Sequence, residues 1–550
     1  MKVLATGPSG SSGSAVVGAA DDRRLRPERL RHKALLAAAL AAAVSLTSAS
    51  GIVGLGDTDP YRHLAYARLL WQSGFKLRGH PFLPFTLLGE TGVDLWWGFH
   101  LLLIPFTFFG TLWGARLAAA AISAVVAGTL AVLLRRLGQP QGWLFALAPF
   151  AFSPMFLQRV SEARPAALTV PLLMVALFAG QGSLHRAWAG TAAFAHGLLH
   201  LSSPLGPLFV CVGWACARQT RSRGNPEAIV WAVGGLALAL LVRPDRALYL
   251  PVAVLTNAGA LGHIPGGRLP HAAAELFGIS PGQLLTHAGA LIVLLLVAAA
   301  LGWRKERPGT SGARLATLAA CAITLGLCFE SKRFVDYLAP FLALAAGLQR
   351  PRLPAATRAA RIATWGFCAL AALALAFNLP RAWRQGNASI APPASFEQMA
   401  AVIRERVPPG AMIVTEDLIQ SGVLWSYVPE YRFPCAYDPS LLYLANEQLF
   451  WRWYHAVAEG RECADRECVK GSASAEAVAK AVEAFGSEWF FSFYPRTGFT
   501  VLQLLARDRD RFELVGTAPS NVGRLSLWHV KPRPRTIGGS LGPTESGLPR

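Results

Sequence analysis

The residues best suited to chemistry lie in one short stretch, Gly56-Asp57-Thr58-Asp59-Pro60-Tyr61-Arg62-His63-Leu64, directly after the first hydrophobic segment. Two carboxylates at positions i and i+2 of a loop can turn toward one hard divalent cation such as Mg²⁺ or Mn²⁺, which prefers oxygen ligands. Arg62 and His63 follow at once and add groups that suit a phosphate. This cluster predicts a metal- or phosphate-handling site, with Asp57 and Asp59 as its candidate metal-binding residues.

A purely structural role for the same acids is also open. Asp59 followed by Pro60 is typical of a helix N-cap with proline at the first helical position. The helix would run from Pro60 to Trp71. In that interpretation Asp59 only caps the helix and Asp57 is solvated.

Two later turns combine acidic with basic side chains in the same way. Glu162 stands between Arg159 and Arg164, and Glu330 is followed by Lys332 and Arg333. Carboxylates for a metal beside cationic groups for a phosphate are what a phosphate-linked donor requires. The cation would neutralise the charge that develops on the leaving group. For each turn, simple exposure at the end of a membrane span is the alternative.

The composition predicts the elements that must position these residues. The 550-residue chain is 53% hydrophobic and only 15% charged, whereas a soluble protein is about a quarter charged. Its apolar runs are long enough to cross a bilayer, which takes about 20 residues each. The net charge of +20 lies in clusters of Arg and Lys at the ends of these runs. Such clusters orient spans and mark the cytoplasmic side, so we predict a polytopic α-helical membrane protein and no nucleic-acid partner.

This charge pattern gives a topology. Residues 1–33 form a basic, disordered cytoplasmic tail, and residues 34–379 form a transmembrane domain of about eleven spans with a long first external loop at 56–114. The four predicted acids then share the external face of what we expect to be a bacterial inner (cell) membrane. Residues 380–530 become globular and predict an extracytoplasmic α/β domain, with strands near 411–415, 488–493, 512–517 and 524–530. Residues 531–550 are predicted to be disordered.

Three cysteines fall in this last domain. A bridge between Cys463 and Cys468 is the predicted disulfide, and pairing of Cys435 with either one is left open. We do not predict a zinc site, because the sequence places too few further ligands nearby.

The segment from Asp57 to Arg68 after a first span resembles the opening motif of GT-C membrane glycosyltransferases, above all the catalytic subunits of oligosaccharyltransferases. The order of a long first loop, an acidic second one, a late glutamate and a C-terminal α/β domain is similar too, as is the run from Arg333 to Pro340. The resemblance implies a GT-C fold and a metal held by Asp57 or Asp59, one of which would also be the general base. It further implies Glu162 and Glu330 at the metal, and Arg333 and His63 near the donor or acceptor.

Two departures limit the resemblance. Arg164 stands where relatives have a second acid, and the Trp-Trp-Asp signature that reads acceptor sequons is missing. We therefore predict a glycosyltransferase that moves a sugar from a polyprenyl-phosphate-linked donor to an extracytoplasmic glycan, lipid or protein. Oligosaccharyltransferase-type transfer of a whole glycan to protein is one alternative. A non-catalytic lipid-sugar carrier or assembly partner is the other.

Overall fold

The structure is a computed structural model that describes residues 26–139, 141–260, 269–270, 277–302, 311–349, 357–389, 391–468, 472–493, 501–520 and 523–532. Most of the two predicted disordered tails, residues 1–25 and 533–550, lies outside these ranges. The chain forms two compact units, one of Met1–Leu77, Asp94–Arg268 and Ala273–Ser389, the other of Arg78–Val93, Leu269–Ala272 and Ile390–Arg550.

Helices make up most of the described chain. In chain order they are α1 (Arg26–Ser50), α2 (Asp59–Gln72), α3 (Leu87–Thr91), α4 (Trp97–Thr107), α5 (Gly110–Arg136), α6 (Gly142–Phe152), α7 (Pro154–Val160), α8 (Pro165–Gln181), α9 (Ala187–Leu199), α10 (Leu205–Gln219), α11 (Glu227–Val242), α12 (Arg246–Ala260), α13 (Pro281–Gly302), α14 (Ser311–Glu330), α15 (Val335–Gln349), α16 (Arg358–Ser389), α17 (Pro393–Arg406), α18 (Ser421–Tyr427), α19 (Ser440–Ala445), α20 (Glu447–Glu459), α21 (Ala475–Ala484) and α22 (Val501–Arg507), with a 3-10 turn at Lys332–Phe334. Helix α3 and helices α17 to α22 belong to the second unit.

Among the described residues of the first unit, the helices that pass a length and hydropathy test for a membrane span number fewer than the predicted spans. Five described helices are long and apolar enough, and the number rises to seven if two sharply bent pairs, α7 with α8 and α11 with α12, each count as one span. The predicted count of about eleven spans stays a prediction. Several apolar runs end early, such as α6 with 11 residues and an internal proline, well short of the roughly 20 residues that a span needs. The long apolar helices still indicate an integral membrane protein.

The predicted boundary of the N-terminal tail differs from the structure, and the first external loop contains the helix predicted there. Residues 26–33 of the predicted tail begin α1, because no glycine or proline interrupts the chain from residue 28 to residue 50. The predicted first external loop at 56–114 contains α2, α3, α4 and the start of α5, and α2 matches the helix predicted from Pro60 to Trp71.

Glycine allows close helix contacts inside the first unit. A Cβ added to Gly180 on α8 would collide with the backbone of Val210 on α10, and one added to Gly213 on α10 would collide with the backbone of Leu177. Small residues that let backbones approach are typical of helix interfaces in membranes. The C-terminal half of α8 is thus held at backbone distance from α10.

The second unit contains a four-stranded mixed sheet in the order β1-β2-β4-β3. Strand β1 (Ile413–Thr415) runs parallel to β2 (Trp489–Ser492), and β4 (Gly523–Val530) is antiparallel to both β2 and β3 (Phe512–Ser520). These strands lie where the alternating and apolar runs predict them. The unit begins at Ile390 rather than at residue 380, because α16 continues through Pro380 to Ser389.

The cysteines of the second unit are free thiols in the structure. The predicted Cys463–Cys468 bridge is not formed there, although a hydrogen bond joins the two side chains. Cys435 is buried elsewhere, where its Sγ accepts from the Tyr437 amide at 3.4 Å.

Candidate functional site

The chain turns after α1 and begins α2 at Asp59 itself. The Oδ1 atom of Asp57 accepts a hydrogen bond from the Asp59 amide N–H at 2.9 Å. The Asp57 side chain thus provides a partner for one backbone N–H group at the start of α2. The N-cap residue, Thr58, makes no side-chain capping bond. The Asp59 carboxylate pairs with Arg62 one turn later. The interpretation in which Asp59 only caps the helix is therefore wrong, since its carboxylate binds cationic side chains.

Arg164 connects the first acidic stretch with the second. Its Nε donates to Oε2 of Glu162 at 3.0 Å, its Nη2 pairs with Asp57, and its Nη1 lies 3.5 Å from Oδ2 of Asp59. The side chains of Arg164 and Glu162 are 6% and 4% exposed, whereas that of Asp57 is 29% exposed. The guanidinium thus lies among three carboxylates that lead from the interior to the surface. We call Asp57, Asp59, Glu162 and Arg164 the Arg164 cluster.

A strained turn presents Glu162 and Arg164 to the cluster. Helices α7 and α8 meet at 109°, and Pro165 opens α8 just after Arg164. Ala163, between the two charged residues, has φ +47°, a left-handed conformation that costs a residue with a Cβ about 1–2 kcal/mol. Backbone strain of this kind is found at functional sites.

Burial governs the protonation of Glu162, which lies in this turn and outside both helices. Burial raises the pKa of its carboxyl to about 8, although Arg164 acts in the opposite direction and Asp57 adds to the rise. Gln158 also donates to its Oε1 at 3.3 Å. Burial therefore favours the protonated form of Glu162, and the guanidinium of Arg164 favours the charged form.

The four predicted metal ligands do not form one group. Across the described residues, a single set of three His, Cys, Asp or Glu side chains has all its ligand atoms within 4.8 Å of one another, and it contains none of these acids. Glu330 lies exposed at the end of α14, and Lys332 and Arg333 lie half-buried in the following 3-10 turn. Arg164 occupies the space among the other three carboxylates, an arrangement that does not fit a divalent cation shared by them. Mg²⁺ or Mn²⁺ stays a prediction from the sequence.

Two predicted phosphate ligands have carboxylate partners. Arg62 pairs with Asp59, and Nε of Arg159 lies 2.7 Å from both carboxylate oxygens of Asp336. Both members of the second pair are buried. Asp336 was not among the predicted site residues. An acid in the first turn of an apolar helix was the signal that could have revealed it, because such acids are seldom left unpaired.

His63 faces the interior of the first unit. Its Nδ1 lies 2.8 Å from Nε2 of His100, and Nδ1 of His100 lies 2.7 Å from Oδ2 of Asp94. Arg243 donates to the Asp94 carbonyl, and the Asp94 amide donates to Asp245 at 3.0 Å. No local pattern in the sequence predicts this buried chain, because it joins residues 63–100 with Arg243 and Asp245, about 150 positions further along.

Comparison with known proteins gives matches among solved structures only. No protein-family model and no curated protein matches the chain. The oligosaccharyltransferase of Archaeoglobus fulgidus aligns with a TM-score of 0.57 at 14% identity, over 84% of this chain and 69% of that one. ArnT of Cupriavidus metallidurans, bound to undecaprenyl phosphate, aligns with a TM-score of 0.54 at 13% identity, over 92% of this chain and 99% of that one. The mycobacterial arabinofuranosyltransferase AftD aligns with a TM-score of 0.51 at 15% identity, over 92% of this chain and 42% of that one.

These likenesses, all below 25% identity, concern the fold. Over most of its length the chain is structurally similar to GT-C glycosyltransferases. This confirms the resemblance drawn from the segment Asp57 to Arg68. One of the matched proteins was solved with undecaprenyl phosphate, and the archaeal enzyme was also solved with a dolichol-phosphate.

Proposed function

We propose that this protein is a membrane glycosyltransferase that moves a sugar from a polyprenyl-phosphate-linked donor to an acceptor outside the cytoplasm. The observation that carries the proposal is the Arg164 cluster, in which a partly exposed carboxylate lies beside a buried cationic group. The cluster follows the first long apolar helix, in a unit whose fold is similar to that of enzymes solved with lipid phosphates. Fold alone is a weak guide to substrate, so the proposal depends on the cluster.

The chemistry would be direct displacement at the anomeric carbon. An acceptor hydroxyl forms the new C–O bond, the bond from the sugar to the lipid phosphate breaks, and the polyprenyl phosphate leaves with the bonding electrons. Asp57 is the most exposed acid of the cluster and is our candidate base for the hydroxyl proton. Arg164 and Arg62 are the nearby positive charges that can offset the charge of the phosphate.

Sidedness is part of the proposal. The basic clusters at the ends of the apolar runs support a cytoplasmic N-terminus. The Arg164 cluster and the second unit would then both lie outside the cytoplasm, where lipid-linked sugars meet their acceptors. Labelling of single introduced cysteines with an impermeant maleimide in intact cells tests this topology.

The central experiment measures donor cleavage. Purified protein in lipid nanodiscs is given a panel of polyprenyl-phosphate-linked sugars and a mixture of glycan, lipid and peptide acceptors, and the release of polyprenyl phosphate is followed. We expect Asp57→Asn to lower the rate by about 10² to 10⁴, the usual contribution of a general base. Glu227→Gln, in an exposed ion pair of the same unit, is the matched control and should keep the full rate.

Each alternative function has its own outcome in this assay. A sequon peptide that alone accepts a whole glycan would identify an oligosaccharyltransferase. When the same protein is placed in closed proteoliposomes, movement of lipid-linked sugar across the bilayer without release of the lipid phosphate would identify a carrier. Full activity of a folded Asp57→Asn variant would refute the assigned role of Asp57.

A further inference from the structure

A second cluster of reactive side chains lies in the second unit and shares no residue with the Arg164 cluster. It is the set whose ligand atoms all lie within 4.8 Å of one another, made of His455, Glu459 and Cys468. The side chain of His455 is buried, and those of Glu459 and Cys468 are half-buried. Cys463 adjoins the set, because its side chain is hydrogen-bonded to Cys468.

Local structure explains why these four residues meet. His455 and Glu459 stand four positions apart on α20 and so share one helix face. The helix ends at Gly460, whose φ of 68° is left-handed. There the amide of Arg461 donates to the His455 carbonyl at 2.9 Å, a Schellman-type end that reverses the chain. Residues 461–468 return along the last helical turn and bring both cysteines to it.

The hydrogen bonds of His455 define which of its ring nitrogens carries hydrogen. Nε2 lies 2.9 Å from the carbonyl oxygen of Asp465, and a carbonyl only accepts, so Nε2 is the donor. Nδ1 then presents its lone pair to Oε2 of Glu459, 3.2 Å away. Two acceptors at this distance repel unless a cation or a second proton lies between them. Metal-binding histidines commonly donate their other N–H to a backbone carbonyl in this way.

We propose that His455, Glu459, Cys463 and Cys468 form a structural zinc site. One imidazole nitrogen, one carboxylate oxygen and two sulfurs are the donor set that Zn²⁺ accepts in tetrahedral coordination, whereas Mg²⁺ and Ca²⁺ prefer oxygen alone. Four protein ligands leave no open position, so the site would hold the loop 461–468 against α20 rather than catalyse a reaction. Arg461 also approaches the set, since its Nη1 lies 3.6 Å from Oε2 of Glu459.

The experiment uses the full-length protein purified in detergent. After removal of bound metal under a thiol reductant, the protein is titrated with Co²⁺ and Zn²⁺. We expect one tight Zn²⁺ per chain and, with Co²⁺, the near-ultraviolet absorption of thiolate-to-cobalt charge transfer. Cys468→Ser should lower the zinc affinity by at least about tenfold, since even second-shell changes cost 10- to 100-fold. Cys368→Ser, on α16 of the first unit, is the matched control and should bind as the parent does.

Three results would overturn the proposal. The first is a Cys463–Cys468 disulfide in protein purified without reductant, seen by mass spectrometry after alkylation. The second is cobalt binding without any charge-transfer band. This measurement uses the parent protein, so it remains informative if Cys468→Ser does not fold. The third is an unchanged zinc affinity in folded Cys468→Ser, the result expected of adventitious metal.

Discussion

Replacing Arg164 by methionine tests whether its guanidinium compensates the buried carboxylates. The side chain of Glu162 is only 4% exposed and would lose its 3.0 Å hydrogen bond from Nε. A hydrogen bond to a charged group is worth about 1.5–3 kcal/mol. Asp57 is partly exposed and adds at most about 1 kcal/mol, while Asp59 keeps Arg62. We expect Arg164→Met to lower the free energy of unfolding by about 2–3 kcal/mol at pH 7.

The loss of unfolding free energy in Arg164→Met should grow as the pH rises. Burial raises the pKa of Glu162 to about 8 in the parent, and removal of Arg164 raises it further. Above pH 8 the folded variant retains a proton that the parent and both unfolded chains have released. Because the folded variant then binds more protons than its unfolded state, its stability falls by about 1.4 kcal/mol per pH unit relative to the parent. The deficit should therefore reach about 3–5 kcal/mol near pH 9, the usual cost of breaking a buried ion pair.

Equilibrium unfolding in mixed micelles, followed by tryptophan fluorescence at pH 7 and pH 9, measures both quantities. Arg186→Met is the matched control, because the Arg186–Glu227 pair is 42% and 60% exposed and should cost no more than about 1 kcal/mol. The double variant Glu162→Gln/Arg164→Met should lose the pH dependence. Equal losses at the two pH values, or a loss no larger than that of the control, would refute the reasoning.

Three further predictions use the same protein. Ala163→Gly should be neutral or stabilising by up to about 1 kcal/mol in the same unfolding assay, because glycine tolerates the left-handed φ, whereas Ala176→Gly inside α8 should cost about 1 kcal/mol. Asp336→Asn should lower the free energy of unfolding by about 3–5 kcal/mol, and a double-mutant cycle with Arg159→Met should show strong coupling between the two. In the donor-cleavage assay, protein that is stripped with chelator and resupplied with zinc alone should keep at least about half its rate, since Arg164 supplies positive charge. Activity that returns only with Mg²⁺ or Mn²⁺ would instead favour the cation predicted from the sequence.

The sequence predicts best what depends on local pattern. The strands of the second unit follow from short apolar and alternating runs, which the structure forms as β1 to β4. The sequence predicts helix lengths less well, because hydropathy records apolar runs and does not register breaks such as Pro149 in α6. Length, more than polarity, separates a span from a short buried helix.

The candidate site was predictable only in part for a related reason. Asp57, Asp59 and Glu162 are recognisable in the sequence as charges at the ends of apolar runs, and the structure brings them together around Arg164. The pairing of Arg159 with Asp336 joins residues 177 positions apart, so no local pattern contains it. The zinc ligands were overlooked because His455 and Glu459 belong to a helix that ends before the two cysteines begin.

The hydrogen bond between His63 and His100 has a consequence for the length of the segment before α2. Successive residues of a helix point about 100° apart, so Arg62 reaches Asp59 while His63 reaches the interior. The buried histidine pair therefore fixes the rotation of α2 about its own axis. An insertion or deletion of one residue in the segment 51–58 cannot be absorbed by turning this helix, since that would break the pair or move Arg62 away. The segment thus acts as a spacer of defined length, and natural or designed variants of this protein should keep it constant while the exposed loops change freely.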